Sequence, residues 1–445
     1  MLSKNIFLYP LVLLIFHLII SVSLFVLANS EYLSYLHNGS GVWNFAKDSN
    51  LYHKEALISL EYIQQSNWSG WWNVFPTHHN VKLISLSYWL TGYSSPISFS
   101  VFNSLTWSIS VLLIFNTVKL LFPGKKYLPF MTVTLFFQPS LLFGSTQLLR
   151  DPIFLLGISF FCYGWALMSV DPSKWKWLLS ILLGFFFSMS MRGYLYFVFF
   201  VFFALYLLWI FYVRKVTAKP AILLLILMLC YTFLTTNKYF EKPNAIQQKE
   251  SIQQKESIQQ KESIQQKEFE FIKKRATDKI DLSYLNYVAY SFSNIRSGFS
   301  DSNQNSKSII DGSKEFRNFK DVLMYIPRAI QIGFLSPFPH NWVETGKHVG
   351  LIGRIISGAE MLIWYTVLIG FFYVLMSNIV VIHPLAPIVL VSIFIVVLLG
   401  YSVPNMGAIF RMRQGYMIPI YIYGMYGIQI IYIKLIAANV LSKKI

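Results

Sequence analysis

Charge is what this chain has least of. Asp, Glu, Lys and Arg make up 13% of its 445 residues, about half of what a soluble protein carries. That scarcity excludes an ordinary water-soluble globule. Cysteine is nearly absent as well: Cys162 and Cys230 are the only two, and both sit inside apolar runs. A disulfide framework and a thiolate metal site are excluded on that count. There is no Walker A loop, no GxSxG elbow, no CxxC pair and no Rossmann glycine fingerprint, so soluble nucleotide chemistry is not indicated. Acids and lysines within the apolar runs are too few for a proton- or ion-coupled transporter.

What is present is apolar. Hydrophobic residues make up 55% of the chain and aromatics 18%. Runs long enough to cross about 30 Å of hydrocarbon recur along it. The expected fold class is an all-α polytopic membrane protein. The formal charge of +17 does not argue for nucleic acid. Much of it lies in short loops beside apolar runs, where Lys and Arg orient a membrane chain. The rest favours membrane lipids with anionic headgroups, or a phosphorylated lipid substrate. The first run, residues 7–28, is too long for a signal-peptide core and reads as a retained anchor.

Ten spans are expected, near residues 7–28, 97–120, 127–145, 152–170, 177–191, 194–213, 220–236, 358–377, 385–403 and 415–436. They divide the chain into an N-terminal membrane module (1–236), an outer-facing loop (237–357) and a C-terminal membrane module (358–445). Ten crossings put both termini on one side. The loops on that side hold Lys4, Lys119, Lys125, Lys126, Lys174, Lys176, Arg214, Lys215, Lys219, Lys443 and Lys444 against one acid, Asp171. This asymmetry predicts cytoplasmic termini in a cytoplasmic (inner) membrane. Chemistry is then expected on the opposite side, in the loops 29–96 and 237–357 and the short ones near 146–151, 192–193 and 404–414. Residues 81–90 are too short to span and predict a helix at the interface or packed between spans.

The outer-facing loop contains a repeat. Ile246-Gln247-Gln248-Lys249-Glu250-Ser251 recurs at 252 and 258, and from 264 with Phe269 in the last place. A six-residue period advances about 600° on a helix, so its isoleucines form no stripe and bury no face. A solvated helix or disorder is expected. Further on, residues 322–342 turn apolar again, with Pro337 and Pro339 to stop a helix and Trp342 suited to the headgroup layer. A re-entrant or interfacial arm is the expectation.

Several polar groups interrupt this apolar background. Asp48 follows the first span by about 20 residues. If a helix starts there, Tyr52, Ala56, Leu60 and Ile63 form one apolar stripe and Asp48 serves as the N-cap. The functional reading makes it a general base or a ligand of a divalent metal. Arg150-Asp151-Pro152 is ordinary helix-start chemistry, yet it places charge at a membrane surface. Asp48 and Asp151 could converge on one metal or one acceptor. Arg192 is either a turn residue snorkelling to the surface or a phosphate contact. Arg411 and Arg413 sit on the outer side by the span count, against the positive-inside trend. Either they bind the phosphates of a lipid carrier, which guanidinium forks match, or the count is off. His340, Glu344 and His348 share one face of a helix if there is one, and could then hold a metal. The adjacent Pro339 and Gly346, and the absence of HExxH, favour polar loop residues instead.

The stretch Asp48-Ser49-Asn50-Leu51-Tyr52-His53-Lys54-Glu55-Ala56, after a first span and at the start of a long outer loop, resembles the GT-C superfamily of polytopic glycosyltransferases. Arg411-Met412-Arg413 before an apolar span bearing Pro419, and the Pro337-Phe338-Pro339 arm followed by Glu360-Met361-Leu362-Ile363-Trp364-Tyr365, are similar to bacterial members. Lys47 and Ser49 stand where the family often has a paired acid, and the large soluble C-terminal domain of oligosaccharyltransferases is missing. The resemblance implies Asp48 and Asp151 as catalytic acids, with Asp48 deprotonating the acceptor. Tyr52, His53, Arg150, Arg192, His340, Arg411 and Arg413 are the substrate-binding candidates. It implies a polyprenyl-phosphate-linked sugar as donor and a glycan, lipid or protein as acceptor. No cofactor is dictated; a divalent cation, Mg or Mn, is the one candidate. Two rivals remain open. One is an oligosaccharide-repeat polymerase or ligase of surface-polysaccharide assembly, leaning on Arg and His. The other is a non-enzymatic polysaccharide transporter or scaffold.

Overall fold

The computed structural model describes residues 8–214, 219–240, 283–301, 308–346 and 349–442. The hexapeptide repeat at 246–269, and His348, lie outside them. Among the described residues the protein is all-helical, with no strand. In chain order the helices are α1 (Leu8–Leu27), α2 (Asp48–Gln64), α3 (Trp68–Asn73), α4 (His79–Thr91), α5 (Ser100–Leu121), α6 (Leu128–Val133), α7 (Pro139–Ser145) and α8 (Asp151–Val170). They continue as α9 (Lys176–Arg192), α10 (Tyr196–Arg214), α11 (Lys219–Phe240), α12 (Ser283–Asp301), α13 (Phe319–Leu335), α14 (Gly350–Asn378), α15 (Ala386–Ser402) and α16 (Met406–Ser442).

Six stretches of chain are long and apolar enough to cross a membrane, where ten spans were expected. A seventh is the pair α6–α7, which bends by 62° at Gln138. The apolar part of α11, Lys219–Cys230, is shorter than a span. Two of the six stretches are not single rods. Phe161 and Trp165 of α8 meet Phe199, Phe203 and Tyr206 of α10 in ascending order, whereas Gly157 and Gly164 of α8 meet Ser188 and Ile181 of α9 in descending order. The chain therefore reverses at Gly193–Leu195, between α9 and α10. It reverses again at Ile379–Leu385. There α14 runs parallel to α16 (Trp364 on Tyr421, Gly370 on Gly424 and Gly427), and α16 runs parallel to α8 and so to α10. Phe394 of α15 and His383 of the turn, by contrast, meet Phe202 and Tyr206 of α10 in descending order.

Small residues set how closely these helices approach. A Cβ on Gly370 would meet the carbonyl oxygen of Gly424, and one on Gly427 the carbonyl of Gly370. Lipid tails are as apolar as leucine, so close van der Waals packing across small residues is what holds such a pair together. The result is that α14 and α16 share one end, with Gly350 and Met406 on the same side.

The loop between α1 and α5 folds into a helical cap. The stripe expected on α2 is present: Tyr52, Ala56, Leu60 and Ile63 are buried. Val81, Ile84 and Tyr88 of α4 pack against it. Residues 81–90 thus pair with α2 in the cap. Where an arm was expected at 322–342, the chain forms α13 and the short turn Pro339–Asn341. Ala329 and Gly333 of α13 pack on Gly400 and Val396 of α15, and the chain then returns through Trp342, whose ring lies over Gly358 of α14.

Candidate functional site

The helix ends converge at one end of the bundle. Residues in the first turns of α2, α8, α14 and α16 all line a single cavity of about 820 Å³. Free N–H groups at helix starts carry partial positive charge, so the backbone alone already favours an anion there.

The side chains strengthen this. Asp48 is the first residue of α2, with Lys47 in the cap position, and no side chain caps that helix. The expected N-cap role is therefore wrong. Asp48 instead reaches the other end of the sequence: Arg411 Nη2 donates to its Oδ2 at 2.5 Å. Arg411 Nε also lies 3.6 Å from Asp151 Oδ2. Asp151 is not a cap either but the first residue of α8, and its Oδ1 accepts from Arg192 Nη2 at 2.8 Å. Arg192 is not a snorkelling turn residue. It is 6% exposed, lies over the Phe154 ring, and donates to the Tyr416 hydroxyl at 3.2 Å. Four residues from 363 positions of sequence thus form one chain, Asp48–Arg411–Asp151–Arg192.

Gln147 ties the two loops that make this possible. Its side-chain carbonyl accepts from Trp43 N, and its backbone carbonyl accepts from the Asn103 amide.

The cavity holds five cations, Lys47, Arg150, Arg192, Arg354 and Arg411, against two carboxylates. Both carboxylates are already bonded to arginines. Among the described residues no carboxylate lies within ion-pair distance of Lys47, Arg150 or Arg354. Arg354 is 6% exposed and donates to the Ser308 hydroxyl at 2.6 Å. Lys47, Arg354, Ser140 and Gln414 were not singled out from sequence. Arg354 was the legible one, as a lone cation in the run Leu351 to Ile363; starting the span at 358 hid it. Leu24 and Leu27 of α1, Phe143 of α7 and Ile352 and Ile356 of α14 line the same cavity with hydrocarbon.

The other predicted residues fall elsewhere. Tyr52 does not line the cavity; its buried ring packs under Arg150 at 5.7 Å, and burial pushes its hydroxyl up to about 12. His53 turns away to the Tyr88 hydroxyl at 2.8 Å, and burial lowers its pKa. His340 lines a neighbouring cavity of about 370 Å³ with Arg328. It sits in the short turn Pro339–Asn341, so the helical face proposed for His340 and Glu344 does not form. Arg413 is buried in α16 and caps the C-terminal end of α13, donating to Gly333 O at 2.7 Å; it does not face the cavity. Arg411 and Arg413 both belong to the first two turns of α16, not to a loop.

A divalent cation does not fit these donors. Arg411 bonds Asp48 and approaches Asp151, so a metal shared by the two acids would sit against a guanidinium. No group of three His, Cys, Asp or Glu that could hold a metal occurs among the described residues.

No family model matches the chain, and neither a curated protein nor a solved structure is similar to it.

Proposed function

We propose that this chain is a membrane glycosyltransferase that moves a sugar from a polyprenyl-phosphate donor to a glycan, lipid or protein acceptor on the outer face of the cytoplasmic membrane. The observation that carries the reading is one cavity lined by five cations against two carboxylates and also by hydrocarbon side chains. A lipid phosphate has both halves of that chemistry. Lys47, Arg150 and Arg354, none with a carboxylate at ion-pair distance among the described residues, take the phosphate. Arg411 and Arg192 neutralise the charge that grows on the phosphate as its bond to the sugar breaks. Asp48 and Asp151 hold those two guanidinium groups in place.

The topology that goes with this reading has ten crossings. Each arm of the reversed pairs α9–α10 and α14–α15 counts as one, the bent pair α6–α7 as one, and α11 completes the set. Both termini are then cytoplasmic, and the cavity faces out with the cap over it.

The ion pair on Asp48 supports a second reading. A centre built on arginines is also what an oligosaccharide-repeat polymerase or ligase would use, with a lipid-linked oligosaccharide in place of a single sugar.

The test is transfer of labelled sugar from a polyprenyl-phosphate donor in vesicles containing the purified protein. Arg411→Ala should lower kcat by about 10²–10³-fold, the usual effect of removing one electrostatic stabiliser. Asp48→Asn, which lets Arg411 go, should lower it in the same direction. Wild-type rates in both variants would sink the proposal. Activity only with lipid-linked oligosaccharides would favour the polymerase or ligase.

A further inference from the structure

Beneath the charged wall lies a carboxylate that the reading above leaves unused. Glu360 is 2% exposed and ten residues into α14, about 15 Å along its axis. An acid at that depth is costly and is a functional candidate by default. Among the described residues no cation pairs with it. Both its oxygens are spent on one residue. Oε1 accepts from the Ser140 backbone N–H at 2.7 Å, and Oε2 accepts from the Ser140 hydroxyl. The Ser140 oxygen in turn accepts from Gln414 Nε2 at 2.7 Å. Ser140 and Gln414 line the cavity, one turn deeper than Arg411 on the α16 side; Glu360 does not line it.

The inventory of Ser140 Oγ is specific. Its proton is donated to Glu360, one lone pair is taken by Gln414, and one lone pair is left. Asp48 and Asp151 each give an oxygen to a guanidinium, whereas Glu360 meets only a hydroxyl and an amide. We infer that Glu360, acting through Ser140, receives the proton of the acceptor hydroxyl. The inference rests on the transferase reading and names its proton path. In the step, the acceptor oxygen forms a bond to the sugar carbon. The bond from that carbon to the phosphate oxygen breaks, and its electron pair leaves with the polyprenyl phosphate. The acceptor proton passes to Ser140 Oγ as the Ser140 proton passes to Glu360. Ser140 is the catalytic residue of the pair, Glu360 its positioning residue and proton store, and Gln414 fixes the hydroxyl between them.

The test uses the full-length protein in vesicles with a polyprenyl-phosphate sugar. Glu360→Gln keeps the shape and can still accept from the Ser140 amide. It should lower kcat by about 10²-fold or more, leave the donor KM unchanged, and remove the acid limb of the kcat–pH profile. Ser140→Ala should do the same, and the double variant should be no slower than either single one, because the two act as a unit. Glu360→Asp should recover part of the rate. If Glu360→Gln does not fold, Ser140→Ala carries the same kinetic test. Full kcat with an intact acid limb in Ser140→Ala or Glu360→Gln, with Arg411→Ala still impaired, overturns the relay and spares the transferase. No transfer by the wild-type protein overturns both.

Discussion

At the scale of single residues, the charges in this protein divide into those that face the cavity and those that hold loops. Arg192 and Arg413 have similar surroundings in sequence, each a guanidinium beside aromatics. One binds Asp151 in the cavity and the other closes the end of α13. Lys82 belongs to the second kind. It is 4% exposed in the cap, and its ammonium donates to the carbonyls of Trp71 and Val74. Burial lowers its pKa from the ordinary 10.5 to about 8, against the pull of Glu55. Between those values the unfolded chain keeps the proton and the folded chain has released it. Lys82 therefore adds to stability as pH rises from about 8 towards 10.5. Melting of wild type and Lys82→Met between pH 7 and 10.5 should show the wild type gaining relative to the variant. Parallel curves would mean that the ammonium does not titrate in that window.

At the scale of elements, helix starts and glycine contacts do the positioning. The first turns of α14 and α16 reach the cavity together because the two helices lie in parallel contact, closest where Gly370, Gly424 and Gly427 meet. Gly424→Val would push its side chain into the Val367 carbonyl. Overpacking of this kind costs about 1–3 kcal/mol, and here it also shifts α16, which carries Arg411, relative to α14, which carries Arg354. The expected result is a lower melting temperature together with reduced transfer. A variant that melts earlier but transfers at the wild-type rate would show that the site does not depend on this crossing. Elements were also where sequence reading worked best. The α2 stripe, the end of α13 just before Pro337, and most helix positions follow from apolar period and proline chemistry, which are local. The turns at Gly193–Leu195 and Ile379–Leu385 were legible as breaks between spans. The depth of α14 was not, since Arg354 made its first turn look like a loop.

At the scale of the whole molecule, the skew of Lys and Arg towards one set of loops predicts orientation. With Cys230, which is exposed, replaced by serine and Cys162 left buried, single cysteines can report on sides. Asn38→Cys, in the loop between α1 and α2, should react with a membrane-impermeant maleimide added outside intact cells. Lys125→Cys, between α5 and α6, should react only after the membrane is opened. The opposite pattern would put the cavity on the cytoplasmic side and end the proposal of outer-face transfer.

Composition and period alone determined that this chain is helical with stretches apolar enough to cross a membrane, because scarcity of charge and runs of apolar residues are properties of neighbouring letters. They also marked Asp48, Asp151, Arg150, Arg192 and Arg411 as out of place. Only the tertiary structure decided that Asp48 meets Arg411 rather than capping α2, that Arg413 serves a helix end, and that Glu360 rests on Ser140. Those contacts join residues 80 to 363 positions apart, and they depend on where packed helices end, which no local pattern encodes.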